Sequence, residues 1–288
     1  MAGHQWSVVT VTYNSADTLR RCWGNAHKPF EWIVVDNCSA DDSVAVAEEL
    51  GARVIRLPEN VGFSRANNVG VREAAGAYVL FANPDLEVGV GGLDVLRRHL
   101  GVHGGLVAPQ LLSAEGIPQP NGRGFPYATA KLGNRRIWPL SQLHASYRVV
   151  AAPGEAVYVA WVMGAAVAAR TADFIAMGGW NDRFFLYYED HELGLRAWRN
   201  KHPVALLGDV RWTHHWARAT NSFQWSRAHN LELRSARTFF GMFPEFVIGL
   251  PPASRRHRLA ARLIGSPVPE QRGPGEPAPT PAWPATSS

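Results

Sequence analysis

A chain of 288 residues, 46% of them hydrophobic and 18% charged, can bury a sizeable core, which excludes a disordered or fibrous protein. The formal net charge of +5 is scattered, with arginine pairs beginning at Arg20, Arg97, Arg135 and Arg255. That scatter describes a solvated surface and argues against nucleic acid as a partner, while the charge suits a diphosphate ligand or an anionic membrane surface.

The first third alternates between short β-branched runs and stretches of helical spacing, the pattern of an α/β fold with a mostly parallel sheet flanked by helices. Ser7 to Val11 reads as the first strand, followed by a polar turn over Thr12 to Ser15 and a helix near Ala16 to Ala26. Ile33 to Val35 is a second strand, after which Ser39 and Asp42 give a capping-box-like start to a helix that Gly51 closes. Val54 to Leu57 is a third strand, Phe63 to Ala75 is helical, and Tyr78 to Phe81 is a fourth strand running into Asn83, Pro84 and Asp85.

Ser113 to Glu155 carries Gly, Pro and Arg with little periodicity and reads as a loop-rich segment able to shape a pocket or a lid. The apolar stretch Ala156 to Ala169 is too short to cross a bilayer and reads as buried sheet. A short helix near Ala172 to Met177, a helix from Glu189, a strand over Val204 to Leu207 and a helix over Ser222 to Phe243 follow. Arg255, Arg256, Arg258 and Arg262 alternate with Leu259, Leu263 and Ile264, a basic amphipathic stretch able to make peripheral contact with an anionic membrane. Seven prolines after Gly265 predict a disordered tail. The expected organisation is one folded unit over 5–245, with halves at 7–112 and 157–245 around a variable segment at 113–156, then a basic extension at 246–265 and the tail at 266–288.

The two cysteines, Cys22 and Cys38, lie in no CxxC or Cys/His spacing, which argues for a reducing compartment and against a zinc site or disulfide framework. Met1 to Trp6 has neither a basic flank nor an apolar h-region, so no export signal is read and a cytoplasmic location is expected.

In an open parallel sheet, ligands bind beyond the carboxyl ends of the strands. Three clusters end strands there and should face one crevice: Thr12, Tyr13 and Asn14; Asp36 and Asn37; Asn83 and Asp85. Asp36 can accept from a nucleobase imide or a ribose, or can serve as a turn or cap residue. Asp85, held by Pro84, suits a hard divalent cation, although Asn-Pro-Asp is also a common turn. Glu189 and Asp190 follow the aromatic run Phe184, Phe185, Tyr187 and Tyr188 and open a helix. The helix dipole accounts for one acid there, while two beside four aromatics suit a general base. His214 and His215, with Arg218 nearby, can contact a metal or a diphosphate, or be structural. Trp161, Trp180, Trp198, Trp212 and Trp216 offer faces for sugar rings, with core packing the competing role.

Taken in order, the stretches SVVTVTYNS, VVDNCSADDS, ENVGFSRANNVGVREAAGAYVLFANPDLEV, GGWNDRFFLYYEDHELGLRAWR and VRWTHHWARATNS resemble the family 2 glycosyltransferases of GT-A fold, in the branch that includes bacterial rhamnosyltransferases. The resemblance implies that Asp36 contacts the base, that Thr12, Tyr13, Asn14, Asn37, Asn67 and Asn83 lie among the donor-binding positions, and that Asp85 ligates Mg2+ or Mn2+. It further implies that Asp190 is the catalytic base with Glu189 assisting, and that His214 or His215 supplies the late metal or phosphate contact. Asn83 replaces the first acid of a strict DxD motif. The stretch Ala217 to Thr220 lacks the glycine that often follows the histidine, which leaves the two histidines undistinguished.

The function so implied is inverting transfer from a nucleotide diphosphate sugar to an acceptor hydroxyl of a glycan, a lipid-linked intermediate or a small molecule. A dTDP-linked deoxysugar such as rhamnose stands ahead of a UDP-hexose as donor, and the inner face of the membrane is an expected place of work. The competing readings are a non-catalytic sugar-nucleotide or glycan-binding protein and a nucleotidyltransferase. The latter lacks support in the turn Thr12 to Ser15, which has no glycine to grip a triphosphate.

Overall fold

The computed structural model describes residues 5–24, 28–128, 147–215, 222–247 and 271–272. The chain begins with four strands, β1 (Trp6–Thr12), β2 (Glu31–Asp36), β3 (Arg53–Arg56) and β4 (Tyr78–Ala82), with helices α1 (Ala16–Trp23), α2 (Ser43–Glu49) and α3 (Phe63–Arg72) between them. These strands pair in parallel in the order β3-β2-β1-β4. Val8, Val9, Ile33, Val34, Val35, Leu80 and Phe81 are fully buried, as strands covered on both faces require. Gly70 lets α3 lie against the sheet, because a Cβ there would meet the side chain of Val9 at 2.4 Å.

β5 (Leu86–Glu87), α4 (Gly91–His103) and β6 (Leu106–Leu112) come next; none of the three is among the elements read from the sequence. β7 (Gly122–Arg123), β8 (Arg148–Val149) and β10 (Trp161–Val162) form a small antiparallel sheet, and β9 (Ala156–Tyr158) and β11 (Ala166–Arg170) join the main one. After α5 (Thr171–Ala176) and α6 (Glu189–Arg199) comes β12 (Val204–His214), then α7 (Ser222–Met242) and a 3-10 turn at Pro244–Phe246. β11 runs antiparallel between β4 and β6, and β12 runs parallel to β6. The sheet is therefore largely parallel, with strands from both halves interleaved.

Three sequence readings change. The strand expected over Val204 to Leu207 continues to His214, across an irregularity between Leu207 and Arg211. The capping box expected at Ser39 and Asp42 is absent. α2 starts at Ser43 with no side-chain bond from Asp42, and Asp41 instead accepts from the backbone N–H of Ser43 and of Ala16, each at 3.0 Å. Within the tail read as disordered, Gln271–Arg272 forms a strand, β13, antiparallel to β9, which would otherwise be an open edge. The rest of the tail, the extension beyond Val247, and residues 129–146 of the variable segment lie outside the described residues. No helix among the described residues is long and apolar enough to cross a membrane.

Candidate functional site

Strand order reverses at β1, which has β2 on one side and β4 on the other, the arrangement that opens a ligand crevice at the carboxyl ends. Thr12 and Asp36 are register partners at those ends. The Asp36 carboxylate is 3% exposed, and its Oδ2 accepts the Ser39 N–H at 3.0 Å. Asp36 Oδ1 and Thr12 Oγ1 are buried with no hydrogen-bond partner among the described residues. Leaving such atoms unsatisfied costs about 1 to 3 kcal/mol each, so their clustering at a strand-end crevice is the signature of groups that a ligand completes.

The asparagines at this end brace loops. Asn14, in the left-handed region at φ 52°, accepts the Ala40 N–H at 2.7 Å on its side-chain oxygen. Asn37 accepts from the Val61 N–H at 2.8 Å and donates to the Gly62 carbonyl at 3.3 Å. Asn67 is buried within α3 and donates to the Phe63 carbonyl at 3.0 Å. Tyr13 is half exposed at the crevice mouth.

Asp85 and the two histidines separate cleanly. His214 Nε2 lies 3.4 Å from Asp85 Oδ1, whereas His215 Nε2 lies 2.5 Å from Glu87 Oε1. Gln119 Nε2 donates to the His214 carbonyl at 3.0 Å, so its Oε1, 2.9 Å from His214 Nδ1, accepts the Nδ1 proton. In the neutral ring this turns the Nε2 lone pair toward Asp85 Oδ1, which is buried and has no hydrogen-bond partner among the described residues. With that tautomer two acceptors face each other across 3.4 Å, an arrangement that a bound cation or a proton on Nε2 relieves. A histidine whose other nitrogen donates to a carbonyl is also the usual arrangement of a metal ligand. These residues fit a divalent cation, with His214 rather than His215 beside Asp85.

Glu189 and Asp190 open α6 directly after Tyr187 and Tyr188, whose φ values of 69° and 68° are left-handed, a conformation aromatic residues rarely adopt. Strain of this kind persists where surrounding structure enforces it and concentrates at functional sites. Glu189 is buried, and Asp190 receives the Gly164 N–H on Oδ2 at 3.3 Å and His191 Nδ1 on Oδ1 at 2.6 Å. The His191 ring is stacked between Trp161, with centroids 3.6 Å apart, and Tyr188, at 4.6 Å. Arg123 lies over the Trp161 ring, 5.8 Å from its centroid. Burial pulls Arg123 below the usual arginine range, and the charge of Asp190 opposes that shift.

The β10–β11 turn joins the two acidic centres. Gly164 gives its N–H to Asp190, while the next residue, Ala165, accepts the Asn83 N–H at 2.9 Å. A second set of bonds holds the loop before α6. Asn68 bonds both backbone groups of Trp180, at 2.7 and 2.9 Å, Arg196 donates to the carbonyls of Met177 and Gly179, and the Phe63 N–H reaches the Phe185 carbonyl at 2.7 Å. Gln119, His191, Arg123, Asn68 and Gly164 were not among the residues expected from sequence. His191, adjacent to the paired acids, and Asn68, adjacent to Asn67 in the quoted motif, carried a local signal.

Trp161, Trp180, Trp198 and Trp212 are all buried, so core packing is their role, and Trp216 lies outside the described residues, as does Arg218. The aromatics with exposed surface here are Tyr13, Phe185 and Tyr187.

The sequence model of glycosyl transferase family 2 matches residues 7–138. Over 237 residues the chain is 27% identical to the N-acetylglucosaminyl-diphospho-decaprenol L-rhamnosyltransferase of Mycobacterium tuberculosis, spanning 74% of this chain and 76% of that one. It is also 27% identical over 207 residues to a low-salt glycan biosynthesis hexosyltransferase of Haloferax volcanii, spanning 67% of this chain and 61% of that one. Among solved structures, GalNAc-T7 with UDP, GalNAc and Mn2+ superposes with a TM-score of 0.59 at 16% identity over 75% of this chain, which spans 44% of that protein. The last likeness is one of fold. With the strand-end crevice and the ordered motifs, these matches point one way: the chain has the fold of the GT-A glycosyltransferases and is similar to glycosyl transferase family 2 over residues 7–138.

Proposed function

We propose that the chain transfers a sugar, with inversion, from a nucleotide diphosphate donor to the hydroxyl of a glycan or lipid-linked acceptor. The observation that carries the reading is the facing pair of acceptors, Asp85 Oδ1 and His214 Nε2, tied through Ala165 and Gly164 to Asp190. Asp36 and Thr12 hold the nucleoside, and Tyr13 covers it. Asp85 and His214 hold Mg2+ or Mn2+, which when bound supplies positive charge to the departing diphosphate.

Inversion is a single displacement, so a base is needed on the face opposite the leaving group. Asp190 accepts the acceptor's proton on Oδ2, and its Oδ1 stays with His191. General-base assistance of this kind contributes about 10² to 10⁴ in rate. Glu189 assists from the adjacent buried position at the helix start, and exposed Phe185 and Tyr187 provide the apolar faces of the acceptor side. A dTDP-linked deoxysugar such as rhamnose is the donor supported first, by the name of the mycobacterial relative, and a UDP-hexose second. That relative's name also supports a lipid-linked acceptor, and work at the inner face of the membrane is the part of the proposal that follows from such an acceptor.

The test is a panel of nucleotide sugars offered to the purified chain with Mg2+ or Mn2+, following nucleoside diphosphate release. Release from dTDP-rhamnose that stops on chelation and on Asp85→Asn is expected. Release indifferent to both would overturn the cation assignment.

A further inference from the structure

A second group of ligand atoms lies beside the first. Cys22 Sγ, a carboxylate oxygen of Glu87 and a ring nitrogen of His215 are all within 4.8 Å of one another. They come from the end of α1, from β5 and from the residue after β12, and each is fixed by its own backbone. β5 pairs with the end of β12 through Glu87 opposite Thr213 and Leu86 opposite His214. The His215 N–H donates to the Asp85 carbonyl at 2.9 Å. Trp23, next to Cys22, donates its ring N–H to the Pro84 carbonyl at 3.1 Å. Because successive residues of a strand face opposite ways, His214 goes to Asp85 and His215 to this other group.

We propose that Cys22, Glu87 and His215 form a separate zinc-class cation site that clamps α1 to the strand pair carrying the Asp85 loop. A thiolate, an imidazole and a carboxylate are the donor set of a tetrahedral Zn2+ ion, with water in the fourth position, and a thiolate selects such an ion over Mg2+ or Mn2+. Tetrahedral bonds of about 2.0 to 2.3 Å place ligand atoms roughly 3.3 to 3.8 Å apart, a separation the trio reaches by small side-chain rotations. Cys22 is buried, Glu87 is exposed and His215 lies between, so the ion has an entry path on the Glu87 side and a dry wall at the sulfur. Binding expels the Cys22 thiol proton to solvent. In the metal-bound state the His215 ring proton sits on Nδ1, leaving the Nε2 that now faces Glu87 to the metal. The site differs from the cation pair at Asp85 and His214 in donors, in metal preference and in what it holds.

Metal-free full-length protein is titrated with Zn2+ against a chromogenic chelator, and separately with Co2+ while recording thiolate-to-cobalt charge-transfer absorption. One Zn2+ per chain that persists in Asp85→Asn is expected, with affinity falling at least tenfold in Cys22→Ser and in His215→Gln. The cobalt band should vanish in Cys22→Ser and persist in Cys38→Ser, since these are the two cysteines of the chain. Circular dichroism of each variant without metal separates lost binding from lost folding, and Glu87→Gln, on an exposed side chain, gives a third and milder reduction. Equal zinc affinity in Cys22→Ser and the parent, a cobalt spectrum without the thiolate band, or a band lost in Cys38→Ser instead would each overturn the proposal.

Discussion

Asp190 Oδ1 takes two bonds from the residue that follows it, the His191 N–H at 2.9 Å and His191 Nδ1 at 2.6 Å. An ionised carboxylate can only accept, so the ring proton sits on Nδ1 and the bond is charge-assisted. The imidazole cannot turn away, being packed between Trp161 and Tyr188. One oxygen of the proposed base is thereby immobilised, which orients the other.

Asp190→Asn should leave donor and cation binding unchanged and lower transfer by about 10² or more, because an amide cannot take the hydroxyl proton. Were the side chain only a helix-start residue, Asn would serve nearly as well and transfer would stay within a few-fold of the parent. Glu189→Gln is expected to be the milder change. His191→Phe keeps the ring stack and removes the donor, and should lower kcat by about tenfold with donor affinity intact, the worth of one charge-assisted hydrogen bond. His191→Asn, which keeps an N–H near the same place, should recover part of the loss. Single-turnover transfer and donor titration on the same preparations check all four.

Asp85→Asn should preserve the fold and weaken Mn2+-dependent donor binding, whereas Asp36→Ala should weaken donor binding equally with and without metal. Gln119→Leu probes the tautomer. Without its carbonyl the His214 ring loses the bond that turns Nε2 toward Asp85, and the metal requirement should rise by about 10- to 100-fold, as for other partners of metal-bound histidines. Mn2+ titrations of donor binding read each case, and a Gln119→Leu protein with the parental metal requirement would contradict the arrangement.

Away from the crevice, burial holds His99 down to about 4, with the charge of His103 adding to the shift. Its Nε2 is buried without a partner among the described residues, and Arg98, Glu155 and Asp209 line the same recess. Between about pH 6.5 and 4 the unfolded chain binds the proton and the folded chain does not. The stabilisation of the neutral ring is therefore complete above the unfolded value and is lost as pH falls through that window, on the order of 3 kcal/mol in all. Thermal unfolding at pH 7 and pH 5 should show the drop in the parent and a smaller one in His99→Gln; equal drops would remove His99 from the account.

Asn68→Ala takes away both bonds to Trp180 and leaves the indole residue's backbone groups unsatisfied. A loss of about 2 kcal/mol or more is expected by urea unfolding, with Asn67→Ala affecting one local bond and costing less.

The first four strands were legible because β-branched runs end abruptly in polar residues, which is what strands buried on both faces and opening on a crevice produce. α4 and β6 were missed: the helix carries Gly91, Gly92 and Gly101, and β6 contains Pro109 and a buried Gln110. His214 and His215 could not be told apart because the residue that decides, Gln119, lies 95 positions upstream. Asn67 was named from the sequence and its neighbour Asn68 was not. Both fit the motif, but the turn of α3 buries the first and sends the second to Trp180. The Cys22 group escaped for a different reason, since metal spacings are read from close pairs and Glu87 lies 128 residues from His215.

The placement of β11 between β4 and β6 bears on how such enzymes can be re-engineered. A chimera that joined the first 112 residues to another protein's acceptor half would import a foreign strand into the middle of the sheet and a foreign dipeptide in place of Gly164 and Ala165. Acceptor preference and donor geometry would then change together, however cleanly the sequences were spliced. Retaining Met163 to Arg170 from the donor-side parent, and exchanging only what lies after them, is the cut that keeps the two centres in register.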